Sequence, residues 1–93
     1  MNKYSDAEIS KELASLKGWQ MKNGCLTKTF TFKDFSEAFG FMGRVALISE
    51  RIEHHPDWSG VYNVVTIRLK THDVDGITDK DFSFAHLVEK LFH

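Results

Sequence analysis

Residues 34–56 read DFSEAFGFMGRVALISERIEHHP, and this stretch decides the fold. Asp34, with Glu37 three residues later, has the form of a helix N-cap with an acidic partner in the first turn. At 100° per residue, Phe35, Ala38, Phe39, Phe41, Met42, Val45, Ala46, Ile48 and Ile52 fall on one broad arc. The spacing predicts a helix from Asp34 to His54 that turns this arc toward a core. Pro56, the only proline, ends it, because the residue before a proline is steered out of the helical region. Glu50 and His54, four apart, are expected side by side at the border of core and solvent.

The flanks read as hairpins and helices. Ser5-Asp6-Ala7-Glu8 has the capping-box form and opens a helix expected to reach about Leu16, with Gly18 as its stop. Trp19 to Lys22 alternates, Asn23-Gly24 supplies a two-residue turn, and Leu26 to Phe32 completes a hairpin with threonines on one side. Beyond the central helix, Val61 to Leu69 reads as a long third strand and Thr71 to about Val74 as a short fourth. Thr78, with Asp81 three residues on, caps a last helix. The order α-β-β-α-β-β-α predicts an α+β fold, a four-stranded antiparallel sheet with helices packed on one face. No repeat or linker divides the chain, so residues 1–93 are read as a single domain.

Phe82, Phe84, Ala85, Leu87, Val88, Leu91 and Phe92 wrap the last helix well beyond the ~100° stripe that one core needs. Either that helix packs on its own sheet and on a second subunit, as a homodimer or homotetramer, or it is deeply buried within one chain.

Composition narrows the function. Twelve Lys and Arg against thirteen Asp and Glu leave a net charge of -1, which argues against direct nucleic-acid binding. A single cysteine, Cys25, forms no internal disulfide and fits a cytoplasmic setting. No apolar run reaches the roughly 20 residues of a membrane span, so no membrane partner is expected. Nucleophile elbows, phosphate loops and dinucleotide fingerprints are lacking.

The chemistry lies in His54, His55 and His72, because histidine alone titrates near neutrality without perturbation. If the strand before His72 folds back against the end of the central helix, all three imidazoles line one pocket. Glu50, one turn before His54, would then fix that ring's tautomer. Imidazoles oriented by carboxylates suit giving a proton to a leaving hydroxyl and removing one elsewhere, so a dehydration fits. Three histidines also make a reasonable zinc set, but no His-x-x-x-His pair is present, and no metal is expected. On spacing alone Asp81 completes a Thr78-x-x-Asp81 capping box. Trp58 and Tyr62 are read as core or as aromatic faces for a flat heterocycle. His86 and His93 fall on the polar side of the last helix and are read as surface residues.

Glu50, three residues, His54-His55-Pro56, five residues, Tyr62, nine residues, His72, eight residues and Asp81 form one signature. It resembles that of the pterin-4α-carbinolamine dehydratases. The resemblance implies a hydro-lyase that converts 4a-hydroxytetrahydrobiopterin to quinonoid dihydrobiopterin and water, in tetrahydrobiopterin recycling, with no cofactor. It implies His54, His55 and His72 as catalytic residues and a pterin as the small-molecule substrate. Glu50 is expected to orient His54, and Asp81 to fix the loop or helix start beside the pocket. Outside the fixed positions, Glu53 and Trp58 are expected to wall the site. Members also assemble as dimers or tetramers, and some serve as dimerisation cofactors of a transcription factor, which is the alternative function.

Overall fold

A computed structural model describes residues 2–92; His93 lies outside the described residues. The elements are α1 (Asp6–Leu13), β1 (Gln20–Lys22), β2 (Cys25–Thr31), α2 (Phe35–Ile52), β3 (Asp57–Val61), β4 (Val64–Leu69), a 3-10 turn (His72–Val74) and α3 (Asp79–Phe92). The four strands run in the order β1-β2-β4-β3, every neighbouring pair antiparallel. This is the α+β arrangement expected from the sequence.

The helix starts follow their caps. Glu8 N–H donates to Ser5 Oγ at 3.1 Å, and Ser5 N–H donates to Glu8 Oε1 at 2.8 Å, a complete capping box. Asp34 Oδ1 accepts from Glu37 N–H at 2.9 Å. Asn23 and Gly24 both adopt positive φ, 51° and 78°, as a two-residue hairpin with right-handed strand twist requires. Leu26, Phe30, Val65, Ile67 and Leu69 point from the sheet into the core, where Phe41, Val45, Phe84 and Val88 meet them.

Three local expectations are corrected. The strand read as one run from Val61 to Leu69 begins at Val64, and a hairpin partner, Asp57–Val61, precedes it. Tyr62 makes the turn at φ 51°, unusual for a bulky side chain. Its neighbour Asn63 anchors the turn to β2. Phe32 N–H donates to the Asn63 carbonyl, and Asn63 Nδ2–H donates to the Phe32 carbonyl, both at 2.8 Å. Thr71 to Val74 is no strand. Thr71 and Gly76 exchange two backbone hydrogen bonds around the 3-10 turn that carries His72.

Third, α2 ends at Ile52 rather than His54, because Glu53 turns left-handed at φ 52°. A non-glycine residue pays roughly 1–2 kcal/mol for that conformation. Glu53→Gly is therefore expected to raise stability by about 0.5–1 kcal/mol after the extra entropy of the unfolded glycine, a gain read as a higher melting temperature.

The helices also divide their apolar residues differently than expected. On α2 only the stripe Ala38, Phe41, Val45, Ile48 and Ser49 is buried, while Phe35 and Phe39 are 56% and 63% exposed and stack on each other. One sheet covers one stripe of a helix, so the outer part of the broad arc stays uncovered. On α3, Phe82, Phe84, Ala85 and Val88 are buried within the chain itself, and Leu87 and Leu91 are half-buried. The large exposed apolar residues thus sit mainly on α2 and the β3–β4 turn.

Candidate active site

The left-handed turn at Glu53 sends the chain off the helix axis, so His54 points inward instead of continuing α2. Its backbone N–H still donates to the Ser49 carbonyl at 3.1 Å. The imidazole is 8% exposed and meets Phe84 edge to face, with ring centroids 6.2 Å apart. Its Nε2 lies 2.6 Å from Asp81 Oδ1. Asp81, on the first turn of α3, is completely buried.

Each Asp81 oxygen has its own task. Oδ2 accepts from Thr78 N–H at 2.9 Å, the capping contact expected from the spacing, and from the Thr71 hydroxyl at 2.8 Å. Because Thr71 spends its hydrogen there, the 2.8 Å contact between Thr71 and Thr78 must be donated by Thr78. Thr78 Oγ1 in turn accepts from Lys80 N–H at 3.2 Å. Every buried polar atom in this chain of bonds has a partner. With Oδ2 occupied, Oδ1 takes the hydrogen on His54 Nε2, which leaves Nδ1 as the ring nitrogen open to proton transfer.

Through Thr71, the same carboxylate reaches the loop that carries His72. That loop is closed at its base by the Thr71–Gly76 bridge and across its mouth by Lys70 and Asp75, 2.5 Å apart. The hydrogen bond and charge of Asp75 raise the Lys70 pKa, and Lys70 holds the Asp75 carboxyl below its usual value. Asp75 stabilises the clasp above its ordinary value of 3.8 and Lys70 does so below 10.5, so the clasp is intact across neutral pH. His72 itself is exposed.

Glu50 does not orient His54. Its Oε1 lies 3.3 Å from His55 Nε2 at the surface, because the helix ends before His54 and i,i+4 geometry no longer applies. Glu50, His55 and Trp58 line a cleft of about 190 Å³ together with Ala46, Ser49 and Pro56. The structure thus forms two groups, the buried His54–Asp81 pair and the His55–Glu50–Trp58 cleft, joined by the peptide bond between the two histidines. His72 stands on the adjoining loop and does not line that cleft. Glu53 is exposed at the end of α2. Thr71 was not singled out by sequence reasoning; its position immediately before His72 was the available signal. Among the described residues, no group of three or more His, Cys, Asp or Glu is disposed to hold a metal ion.

The family model described as Pterin 4 alpha carbinolamine dehydratase matches residues 2–91. The chain belongs to this family. A provisionally named pterin-4-alpha-carbinolamine dehydratase of Nitrobacter winogradskyi is 43% identical over 93 residues, covering 98% of this chain and 92% of the relative. One from Rhodospirillum rubrum is 45% identical over 92 residues, covering 97% and 96%. A crystal structure from Brucella melitensis, titled a transcriptional coactivator/pterin dehydratase, superimposes with a TM-score of 0.92 at 40% identity, covering 96% of this chain and 97% of that one. A pterin dehydratase-like protein described as a RuBisCO assembly factor in the alpha-carboxysome gives 0.65 at 26% identity, covering 78% and 84%. The pterin carbinolamine dehydratase frame is thus shared across nearly the whole chain. No helix among the described residues is long and apolar enough to cross a membrane.

Proposed function

We propose that this protein dehydrates a 4a-hydroxytetrahydropterin, in the biopterin series 4a-hydroxytetrahydrobiopterin, by histidine acid–base catalysis in the cytoplasm. The observation that carries the reading is the buried 2.6 Å bond between His54 and Asp81. A surface histidine has no need of a fully desolvated carboxylate partner, whereas a proton-transfer group gains a fixed tautomer and ring orientation from one. The substrate supplies much of the push. As the C4a–O bond breaks, the N5 lone pair forms the N5–C4a double bond. His54, as the imidazolium with its second proton on Nδ1, gives that proton to the departing oxygen, which leaves as water while the ring returns to the neutral Nε2–H tautomer. His72 removes a ring N–H proton from the resulting cation to give the quinonoid dihydropterin. His55, held by Glu50 and flanked by Trp58, binds the flat ring, and Glu53 is the outermost polar residue of the wall.

Turnover of a freshly generated 4a-hydroxypterin, coupled to a phenylalanine hydroxylase, tests the reaction. The dehydration should run faster with the protein than without it and be unchanged by chelator; no acceleration would overturn the reading. His55→Ala is expected to raise KM several-fold with kcat nearly kept, because the residue binds substrate equally in ground and transition states. Steady-state kinetics on that variant separate binding from chemistry.

A second reading, service as a dimerisation cofactor for another protein, is favoured by the coactivator description of the Brucella melitensis relative and by the exposed Phe35, Phe39 and Leu47 on α2. Capture of a partner through that face without any turnover would select it. Assembly as a homodimer or homotetramer belongs to either reading, and sedimentation across a dilution series distinguishes the two states.

A further inference from the structure

The segment before α1 is tied to the same short stretch that carries the site. Tyr4 makes three attachments to residues 77–82. Its backbone N–H donates to the Ile77 carbonyl at 2.7 Å. Its hydroxyl donates to Asp79 Oδ1 at 2.5 Å, and its ring stacks on Phe82 with centroids 5.3 Å apart. These partners bracket Asp81 on both sides in sequence while Asp81 itself points inward. Lys3 covers the preceding loop so closely that a methyl group on Gly76 would lie 2.2 Å from Lys3 Cδ. The contacts are long-range, 75 residues apart in the chain for the hydroxyl bond, so they are set by tertiary structure and not by local propensity.

We propose that Tyr4 is a positioning residue that acts through Asp81: by clamping the first turn of α3 and the end of the His72 loop, it fixes the carboxylate against His54. The 2.6 Å bond between Asp81 and His54 is short and directional, and a shift of α3 by a fraction of an ångström alters it first. From one residue, Tyr4 thus supplies a backbone bond to the segment entering α3 and a side-chain bond and a ring stack to its first turn. The clamp is insensitive to pH over the neutral range. The hydrogen bond to Asp79, then burial, then the negative charges of Asp79, Glu12 and Glu8 push the Tyr4 phenol up to about 12. Its contribution to stability is complete below the ordinary value of 10.0 and is lost as pH rises through about 12. A tyrosine absorbance titration should show this late component, and Tyr4→Phe should abolish it.

The turnover consequence rests on the dehydratase reading; the geometric one does not, so the two are measured separately. With ring-labelled histidine, NMR should show the His54 nitrogen and proton resonances displaced in Tyr4→Ala and, by a smaller amount, in Tyr4→Phe, which keeps the ring stack. The control is Trp19→Phe, which loses a different bond to α3, from Trp19 Nε1–H to Glu89, about two turns beyond Asp81. It should leave the His54 resonances in place. In kinetics, Tyr4→Ala should lower kcat on the order of tenfold with KM changed less than twofold. Unmoved His54 resonances in both Tyr4 variants would overturn the proposal. So would an equal displacement in Trp19→Phe. Should Tyr4→Ala fail to fold, the Tyr4→Phe displacement against the Trp19→Phe control decides. If the resonances move as stated while even the wild type turns over no pterin, the positioning stands and the dehydratase reading fails.

Discussion

Asp81→Ala should be the most damaging single substitution near the site. It strips the acceptor from His54 Nε2–H, the Thr71 hydroxyl and the Thr78 N–H at once, in a place with no solvent to replace it. Removing one partner of a buried pair costs about 3–5 kcal/mol, against a total stability of roughly 5–15 kcal/mol for a domain. A large fall in melting temperature is therefore expected, and with it loss of turnover. Asp81→Asn separates the two effects. If its amide oxygen faces His54, its NH₂ confronts the two donors at Thr71 and Thr78. If instead the NH₂ faces His54, the imidazole must change tautomer. Either outcome leaves the fold largely standing and lowers kcat by ~10²–10⁴, the range for losing a positioned general acid or base. Thermal unfolding together with steady-state kinetics on the two variants reads the split.

The second large effect concerns the imidazoles themselves. His54→Ala and His72→Ala are each expected to lower kcat by ~10²–10⁴. Their stabilities should diverge. His54→Ala leaves Asp81 Oδ1 buried without its donor, which costs about 1–3 kcal/mol. His72 is exposed, and its removal should change stability by less than about 0.5 kcal/mol. Full wild-type turnover in both variants would refute the acid–base assignment. A fall in activity that tracked the fall in melting temperature would make His54 a structural residue.

Much of this was legible in the chain because helix starts and tight turns are written in local chemistry. Ser5 with Glu8, Asp34 with Glu37, Asn23-Gly24 and Thr78 with Asp81 each satisfy nearby backbone groups, so a few adjacent residues suffice to read them. Strand β3 was hidden for the opposite reason. Asp57-Trp58-Ser59-Gly60-Val61 has little intrinsic strand preference, and its turn rests on Tyr62 in a left-handed conformation held by Asn63 against β2. That support is tertiary. The outer part of the α2 arc misled similarly, since periodicity shows which residues share a face but not how much of the face a sheet covers.

The site divides along the same line. Asp81 read as a cap is one of those locally written features, and the structure adds a second role through its other oxygen. The partner of His54 was misassigned to Glu50 because the helical spacing was carried one residue too far. A residue that leaves a helix through a left-handed turn no longer faces its i−4 neighbour. The contribution of Tyr4 is beyond local reading altogether, since the partners of its two hydrogen bonds and its ring stack all lie more than 70 residues away.

The central claim is that His54, His55 and His72 serve one bound ring although they are carried on two separate segments. Titration of ring-labelled protein with an unreactive dihydropterin, followed by histidine NMR, tests it most directly. All three imidazoles should shift together along a single binding curve while exposed His86 stays fixed. A response confined to His55, or none at all, would contradict the claim.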